Sequence, residues 1–141
     1  MCTKEIVWRL HLSAPPERVY EAWLDVNAHP RFWCERSRLV PEGFEFEFID
    51  GTQERCAVLE SIPASLIRLR YFGARVEIAL AAASGGTDLT LTARDVSASD
   101  WEDTHAGWLN VLLPFKAWVD FGIDLRNHDP ARTWRRRYVD Q

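Results

Sequence analysis

The strongest constraint on the fold is an alternation of apolar and polar residues with period two that recurs along residues 39–96. The apolar positions and runs are Phe44, Phe46 and Phe48, then residues 53–62, then Ile67, Leu69 and Tyr71, then Val76, Ile78 and Leu80, and last Leu89, Leu91 and Ala93. Such alternation gives a strand one apolar face, and short runs separated by turn residues are typical of an antiparallel meander. Residues 39–96 are therefore predicted to form five antiparallel strands with one buried face.

A sixth strand and two short helices are predicted before this meander. Residues 3–13 again alternate with period two. Pro15 and Pro16 then break the strand, and proline is favoured in the first turn of a helix. The following helix has apolar residues at the helical spacing i, i+3, i+4 and i+7, namely Val19, Ala22, Trp23 and Val26. A second short helix or turn is expected at residues 28–34.

One long helix is predicted after the meander, from about residue 101 to residue 122. Ser99 and Glu102 have the spacing of a capping box, with Ser99 as the N-cap. An apolar stripe follows at steps of three and four residues: Trp101, His105, Trp108, Leu112, Phe115 and Val119. Pro114 lies inside this helix and is expected to kink its axis, because proline removes a backbone donor.

The length of 141 residues predicts one domain, residues 1–141, of the α+β class. The long helix and the sheet each have one apolar face, so each is expected to cover the other. Residues 126–141 form a C-terminal tail in which Asp129 and Pro130 are expected to open a short helix. Its arginines, 132 and 135–137, are expected to dock on the acidic surface of the same chain or on a second subunit.

The chain resembles the SRPBCC (START-like) superfamily, in the branch named after the activator of the 90-kDa heat-shock-protein ATPase. The resemblance covers nearly the whole sequence and includes a tail similar to that of a bacterial subset of the branch. Its motifs are residues 14–23 (APPERVYEAW), 50–52 (DGT), 85–92 (GGTDLTLT), 105–108 (HAGW), 120–126 and 132–134. The resemblance implies a helix-grip fold, in which a curved six-stranded antiparallel sheet wraps round the C-terminal helix and encloses a hydrophobic cavity. It does not specify an activity, because the superfamily contains ligand carriers, cyclases, hydrolases and non-catalytic domains.

The first functional hypothesis is the non-catalytic binding of a hydrophobic molecule, lipid-like or aromatic, between the sheet and the long helix. Aromatic walls with few polar groups favour such a ligand, and the chain has seven tryptophans that either line a pocket or fill the core. The predicted ligand-binding residues are Trp33, Tyr71, Trp101, Trp108 and Leu112 as walls and His105 as the polar contact. The alternatives are a protein-interaction module similar to the co-chaperone, and a cyclase- or hydrolase-like enzyme with His105 as acid and base.

Several other functions are disfavoured by the sequence. No catalytic residue is assigned, and no cofactor is predicted. The four histidines are widely spaced and form no metal-binding motif, and the three cysteines, Cys2, Cys34 and Cys56, form no disulfide framework or C-x-x-C motif. The net charge of −4 argues against a nucleic-acid partner, and no stretch approaches the ~18 apolar residues of a membrane span. A cytoplasmic protein is expected, with a homodimer or another protein as a further partner.

Overall fold

A computed structural model describes residues 3–141, so Cys2 lies outside the described residues. The strands are β1 (Thr3–Leu12), β2 (Arg36–Val40), β3 (Gly43–Glu47), β4 (Gln53–Ile62), β5 (Leu66–Tyr71), β6 (Ala74–Ala83) and β7 (Gly86–Ser97). The α-helices are α1 (Pro16–Leu24) and α2 (Trp101–Phe121), and 3₁₀ helices occupy His29–Arg31 and Trp134–Arg136. The α+β class and the long C-terminal helix are confirmed.

The strands form one antiparallel sheet in the order β1-β7-β6-β5-β4-β3-β2. The prediction of six strands is therefore wrong, because the sheet has seven. The missing strand, β2, lies at the edge and, within residues 3–141, pairs only with β3. Its side chains are exposed or half-buried, and Leu39 is 69% exposed. Because neither face of β2 is fully buried, its sequence lacks the alternation that marks the other strands.

The first helix begins at Pro16 as expected, and the segment 28–34 contains only a single 3₁₀ turn. The prediction of a capping box at the start of α2 is wrong. Asp100 occupies the N-cap position and makes no side-chain cap hydrogen bond. Its carboxylate instead accepts a hydrogen bond from the Ser97 hydroxyl at 2.7 Å. The turn at residues 97–100 is thus closed by side chains that precede the helix, and Glu102 is not needed for it.

The helix α2 is fixed at its C-terminal end by Asp120. The side chain of Asp120 is 1% exposed and accepts hydrogen bonds from the backbone N–H groups of Ser13 and Ala14 at 2.9–3.2 Å. The N–H bonds hold the pKa of Asp120 below its usual value even though burial raises it. Gly122 then ends the helix in the left-handed conformation, with φ of 67°. The helix therefore reaches the segment between β1 and α1.

The C-terminal segment, residues 122–141, runs back along the molecule towards the start of α2. The expected helix at Asp129 is absent, since the Asp129 carboxylate accepts from the Ala131 N–H and forms a turn. A 3₁₀ helix forms a few residues later, and the side chain of Trp134 donates to Asp103 of α2 at 2.8 Å. The Asn110 side chain donates to the backbone carbonyl of Gln141 at 3.3 Å. The tail thus packs against its own chain.

Candidate functional site

A cleft of about 580 Å³ opens between the first half of α2, the β5–β6 turn, the end of β7 and the C-terminal segment. Its lining includes Trp33, Phe48, Asp50, Thr52, Tyr71, Phe72, Gly73, Ala74, Val76, Asp95, Val96, Ser97, Asp100, Asp103, Thr104, Gly107, Trp108, Asn110, Val111, Trp134, Arg135 and Gln141. The volume is in the range of pockets that hold small organic molecules. Its inner wall is aromatic and its mouth is polar.

Three of the six predicted ligand-binding residues lie together in the inner wall. The ring centroids of Trp33 and Tyr71 are 5.5 Å apart, and Trp108 lies 5.6 Å from Tyr71 and 6.2 Å from Trp33. The two tryptophans are each 4% exposed. Burial raises the pKa of Tyr71 well above its ordinary value, so its hydroxyl stays neutral. The wall therefore presents neutral aromatic surface to the cleft.

Phe72 stands at the mouth of the cleft in an unusual backbone conformation. It is the first residue of the two-residue turn between β5 and β6, and both Phe72 and Gly73 have positive φ, 48° and 76°. Such turns favour Asn-Gly or Gly-Gly, because a left-handed backbone is unfavourable for a bulky side chain. Phe72 is 57% exposed and lies 4.7 Å from Tyr71 and 6.0 Å from Phe48 between ring centroids. The turn therefore holds an exposed aromatic ring beside the opening.

The mouth has more negative than positive side chains. Four aspartates line the cleft, Asp50, Asp95, Asp100 and Asp103, and Arg135 is the one basic side chain of the described lining. Asp95 pairs outside the cleft with Arg75 at 2.6 Å, and Asp50 lies 4.0 Å from Arg135. Burial opposes ionisation of Asp50, but hydrogen bonds from Thr52 and the charge of Arg135 hold its pKa below the usual value. The opening is therefore an acidic rim above an aromatic wall.

The C-terminal wall of the cleft is anchored by buried charges some distance away. The Arg126 side chain is 1% exposed, donates to the Pro30 carbonyl at 2.8 Å and lies 3.3 Å from Glu35. His128 bridges Glu35 and Asp124 at 2.9 Å and 2.6 Å. Burial lowers the pKa of His128, but the hydrogen bonds to both carboxylates raise it more, and its pKa lies above the ordinary value. This cluster ties the segment that carries Trp134 and Arg135 to the start of β2.

The other three predicted residues lie elsewhere. Leu112 is 2% exposed in the core and does not line the cleft. His105 is stacked between Trp101 and Trp8, with ring centroids 4.3 Å and 4.5 Å away, at the contact between α2 and β1. Within residues 3–141 no hydrogen bond joins its ring to a carboxylate. The structure therefore separates Trp101 and His105 from Trp108, because the cleft faces a neighbouring side of α2.

Residues of the cleft that sequence reasoning missed form a second stripe on α2. Asp100, Asp103, Gly107 and Asn110 recur at steps of three and four, as the predicted stripe does. A helix beside a pocket presents mixed side chains there, so an apolar pattern does not mark this face. A glycine in mid-helix was the available signal, since it is unfavourable by about 1 kcal/mol relative to alanine unless the site needs it.

The described residues give little support for metal binding, for thiol chemistry or for a membrane-spanning helix. No group of three or more His, Cys, Asp or Glu side chains that could hold a metal ion occurs in residues 3–141. Cys34 and Cys56 are buried, and burial raises the pKa of each thiol to about 12, so neither is a reactive thiolate near neutral pH. Neither helix within residues 3–141 is both long and apolar enough to cross a membrane.

The sequence of residues 13–120 matches the family model described as "Activator of Hsp90 ATPase homolog 1-like protein". No similar sequence is found among curated proteins. The matched range extends from the end of β1 almost to the end of α2. It therefore contains most of the sheet and the helical wall of the cleft, but not Trp134 or Arg135.

Solved structures of similar fold come from several bacteria. The Aha1 dimer from Colwellia psychrerythraea has a TM-score of 0.76 at 19% identity, over 84% of this chain and 98% of that one. A Staphylococcus saprophyticus protein has a TM-score of 0.75 at 20% identity, over 87% and 96%. An AHSA1-like protein from Aeromonas hydrophila has a TM-score of 0.72 at 24% identity, over 84% and 94%. These likenesses establish the fold.

Proposed function

The chain belongs to the family of activator of Hsp90 ATPase homologue 1-like proteins, and on that premise we propose that it binds a small hydrophobic or aromatic molecule without catalysing its conversion. The ligand occupies the cleft beside the first half of α2. Trp33, Tyr71 and Trp108 contact its apolar body. The predicted roles of Trp101, His105 and Leu112 are not part of this proposal, because their side chains do not line the cleft.

The observation that supports binding most directly is the combination of an aromatic wall with a glycine beside it on α2. Gly107 lies in the first half of α2, where a Cβ atom would have no heavy atom within 4 Å other than its chain neighbours and the backbone of its own helix. Glycine there has no backbone requirement, since its φ is not positive. Its role is best explained by space, because every larger side chain at this position would extend into the cleft.

The experiment replaces Gly107 by leucine and compares the binding of a neutral probe, 2-(2-naphthyl)ethanol, by isothermal titration calorimetry. Gly107→Leu should abolish binding while raising the free energy of unfolding by about 1 kcal/mol, because leucine has the higher helix propensity. Gly107→Ala is the matched control. It should gain a similar stability, yet it adds only one methyl group and should retain most of the affinity.

Binding that survives Gly107→Leu would show that the probe lies outside the cleft and would contradict the proposal. Absence of binding by wild-type protein, extended to neutral fatty alcohols and sterols, would contradict it as well. In that case a function through a protein partner, as in the interaction-module alternative, would replace it.

We infer self-association as a second property, from an exposed apolar face rather than from the cleft. Leu109 and Leu113 lie one turn apart on the same side of α2 and are 37% and 55% exposed. The solved Aha1 dimer has a similar fold. Light scattering should give a dimeric mass that becomes monomeric in Leu113→Lys, while Arg137→Ala leaves it unchanged. A monomeric wild-type protein would contradict this inference.

A further inference from the structure

The proposed cleft has an uneven distribution of charge that bears on which ligand it selects. Asp100 and Asp103 lie on one side of α2 at the mouth, and both are exposed. Each accepts a neutral donor, the Ser97 hydroxyl and the Trp134 indole respectively. Among residues 3–141 no salt bridge to a Lys or Arg involves either carboxylate. Both charges are therefore available to a cation that enters the cleft.

One buried polar atom in the lining also lacks a partner within the described chain. The Oδ1 atom of Asn110 is buried without a hydrogen bond, while the Nδ2 atom of the same side chain is held by the backbone carbonyl of Gln141. This bond fixes the amide so that its oxygen remains an open acceptor. Buried polar groups are usually paired, so this atom points to a ligand that carries a hydrogen-bond donor.

The aromatic residues at the mouth complete the arrangement. Phe48, Phe72 and Trp134 surround the opening, and Phe72 is held there by an unfavourable backbone conformation. An ammonium or guanidinium group is attracted to the faces of aromatic rings, most strongly where water is partly excluded. The negative faces of these rings do not attract an anion, and the aspartates of the lining outnumber its single basic side chain, Arg135. The surroundings of the mouth therefore favour positive charge in two independent ways.

We propose that the cleft selects cationic aromatic amines. The ring lies against Trp33, Tyr71 and Trp108, and the ammonium group stays at the mouth beside Asp100 and Asp103. Asn110 supplies an additional acceptor below them. This inference rests on the proposed function, since it requires that the cleft binds small molecules at all, and it adds the charge of the ligand.

The test uses three probes with the same ring: 2-(2-naphthyl)ethylamine, 2-(2-naphthyl)ethanol and 2-naphthylacetate. Calorimetry near pH 7.5 should give the order amine, alcohol, acetate, with the amine about tenfold tighter than the alcohol. The preference should shrink at high salt, because ions screen charges at an exposed rim. Arg135→Ala should increase the preference for the amine over the alcohol severalfold, since it removes the basic side chain of the rim.

The double variant Asp100→Asn with Asp103→Asn should reduce the preference for the amine over the alcohol to less than twofold. The side-chain carbonyl of asparagine can still accept the hydrogen bonds from the Ser97 hydroxyl and the Trp134 indole, so the fold is retained. Glu102→Gln is the matched control, because Glu102 lies on the same turn but outside the cleft. It should leave the preference unchanged.

The outcomes separate this inference from the proposed function. Equal binding of the amine and the alcohol, or tighter binding of the acetate, overturns the charge selection while the cleft remains a binding site. Loss of preference in Glu102→Gln to about half the extent seen in the double variant also overturns it, because the single variant removes half as much negative charge and the effect is then one of net charge. Failure of all three probes to bind counts against both proposals.

Discussion

The space between the sheet and α2 is filled at one end and open at the other. At the filled end Trp23 stacks on Phe115 with centroids 4.3 Å apart, and Phe32 meets both rings edge-on. At the open end Trp33 and Trp108 are 6.2 Å apart beside the cleft. Both ends are aromatic, so composition does not distinguish them. The difference lies in the residues that α2 supplies, which are Phe115 at one end and Gly107 at the other.

Replacing one tryptophan by alanine at each end should give the largest difference in the free energy of unfolding. Trp23→Ala should lower the free energy of unfolding by about 3–5 kcal/mol, because it leaves a cavity in a close-packed site. Trp108→Ala should cost only about 2 kcal/mol, because its side chain borders space that already exists and mainly the transfer free energy is lost. Urea unfolding followed by circular dichroism measures both. Equal losses would mean that the two ends are packed alike.

A buried histidine at the filled end should also make the free energy of unfolding depend on pH. His29 is fully buried there, and burial lowers its pKa to about 4, although a hydrogen bond to the Trp23 carbonyl opposes the change. The unfolded state therefore binds more protons between about pH 6.5 and pH 4, and stability falls as the pH falls through this window. The expected loss is about 3 kcal/mol, from 1.36 kcal/mol per pKa unit.

Urea unfolding of His29→Gln over the same pH range provides the check on this assignment. The variant should be less stable near pH 7, because Ser37 and the Trp23 carbonyl lose well-placed partners. Its stability should nevertheless change less between about pH 6.5 and pH 4 than that of the wild type. Parallel pH profiles would show that other groups, such as the aspartates, produce the dependence.

The filled end is also the part that sequence reasoning could predict. Phe44, Phe46, Ile67, Leu69 and their neighbours alternate because one face of the sheet is dry, and that pattern is visible without a structure. Similarly, the stripe formed by Leu112, Phe115 and Val119 is buried as its spacing indicates. These features depend on local periodicity, which sequence carries directly.

The open end is determined by contacts between distant residues, and sequence predicts it less well. Trp33, Tyr71 and Trp108 can be predicted only because they are aromatic and lie near apolar stripes. The mouth instead combines a hairpin turn at Phe72, a mid-helix glycine and a tail that returns to Asp103. The apolar stripe predicts His105 on the same face as Trp108, but the three-residue step between them rotates the histidine towards Trp8. No periodic pattern in the sequence indicates which side of a helix a distant C-terminal segment will cover.

A substitution at Phe72 should show that the native turn at the open end is less stable than another sequence would make it. Phe72→Asn places the favoured Asn-Gly pair in the β5–β6 turn and should raise the free energy of unfolding by about 1 kcal/mol, since the left-handed conformation is easier for asparagine. The same change removes an aromatic face from the mouth, so amine binding should weaken. A variant that is more stable and binds equally well would contradict a role for Phe72 in the cleft.

The smallest effect on stability is expected at His128, which anchors the C-terminal segment that forms one wall of the cleft. Because its pKa is raised by Glu35 and Asp124, its stabilising contribution is complete below about pH 6.5 and is lost as the pH rises through the raised pKa. His128→Asn accepts the left-handed backbone at this position, where φ is 52°. It should lower stability by about 0.5 kcal/mol near pH 6, as expected for a partly exposed ion pair, and by less near pH 9. The dependence has the opposite sign to that of His29, so urea unfolding at both pH values distinguishes them. A deficit that grows with pH would mean that neutral histidine, not the charged bridge, anchors the tail.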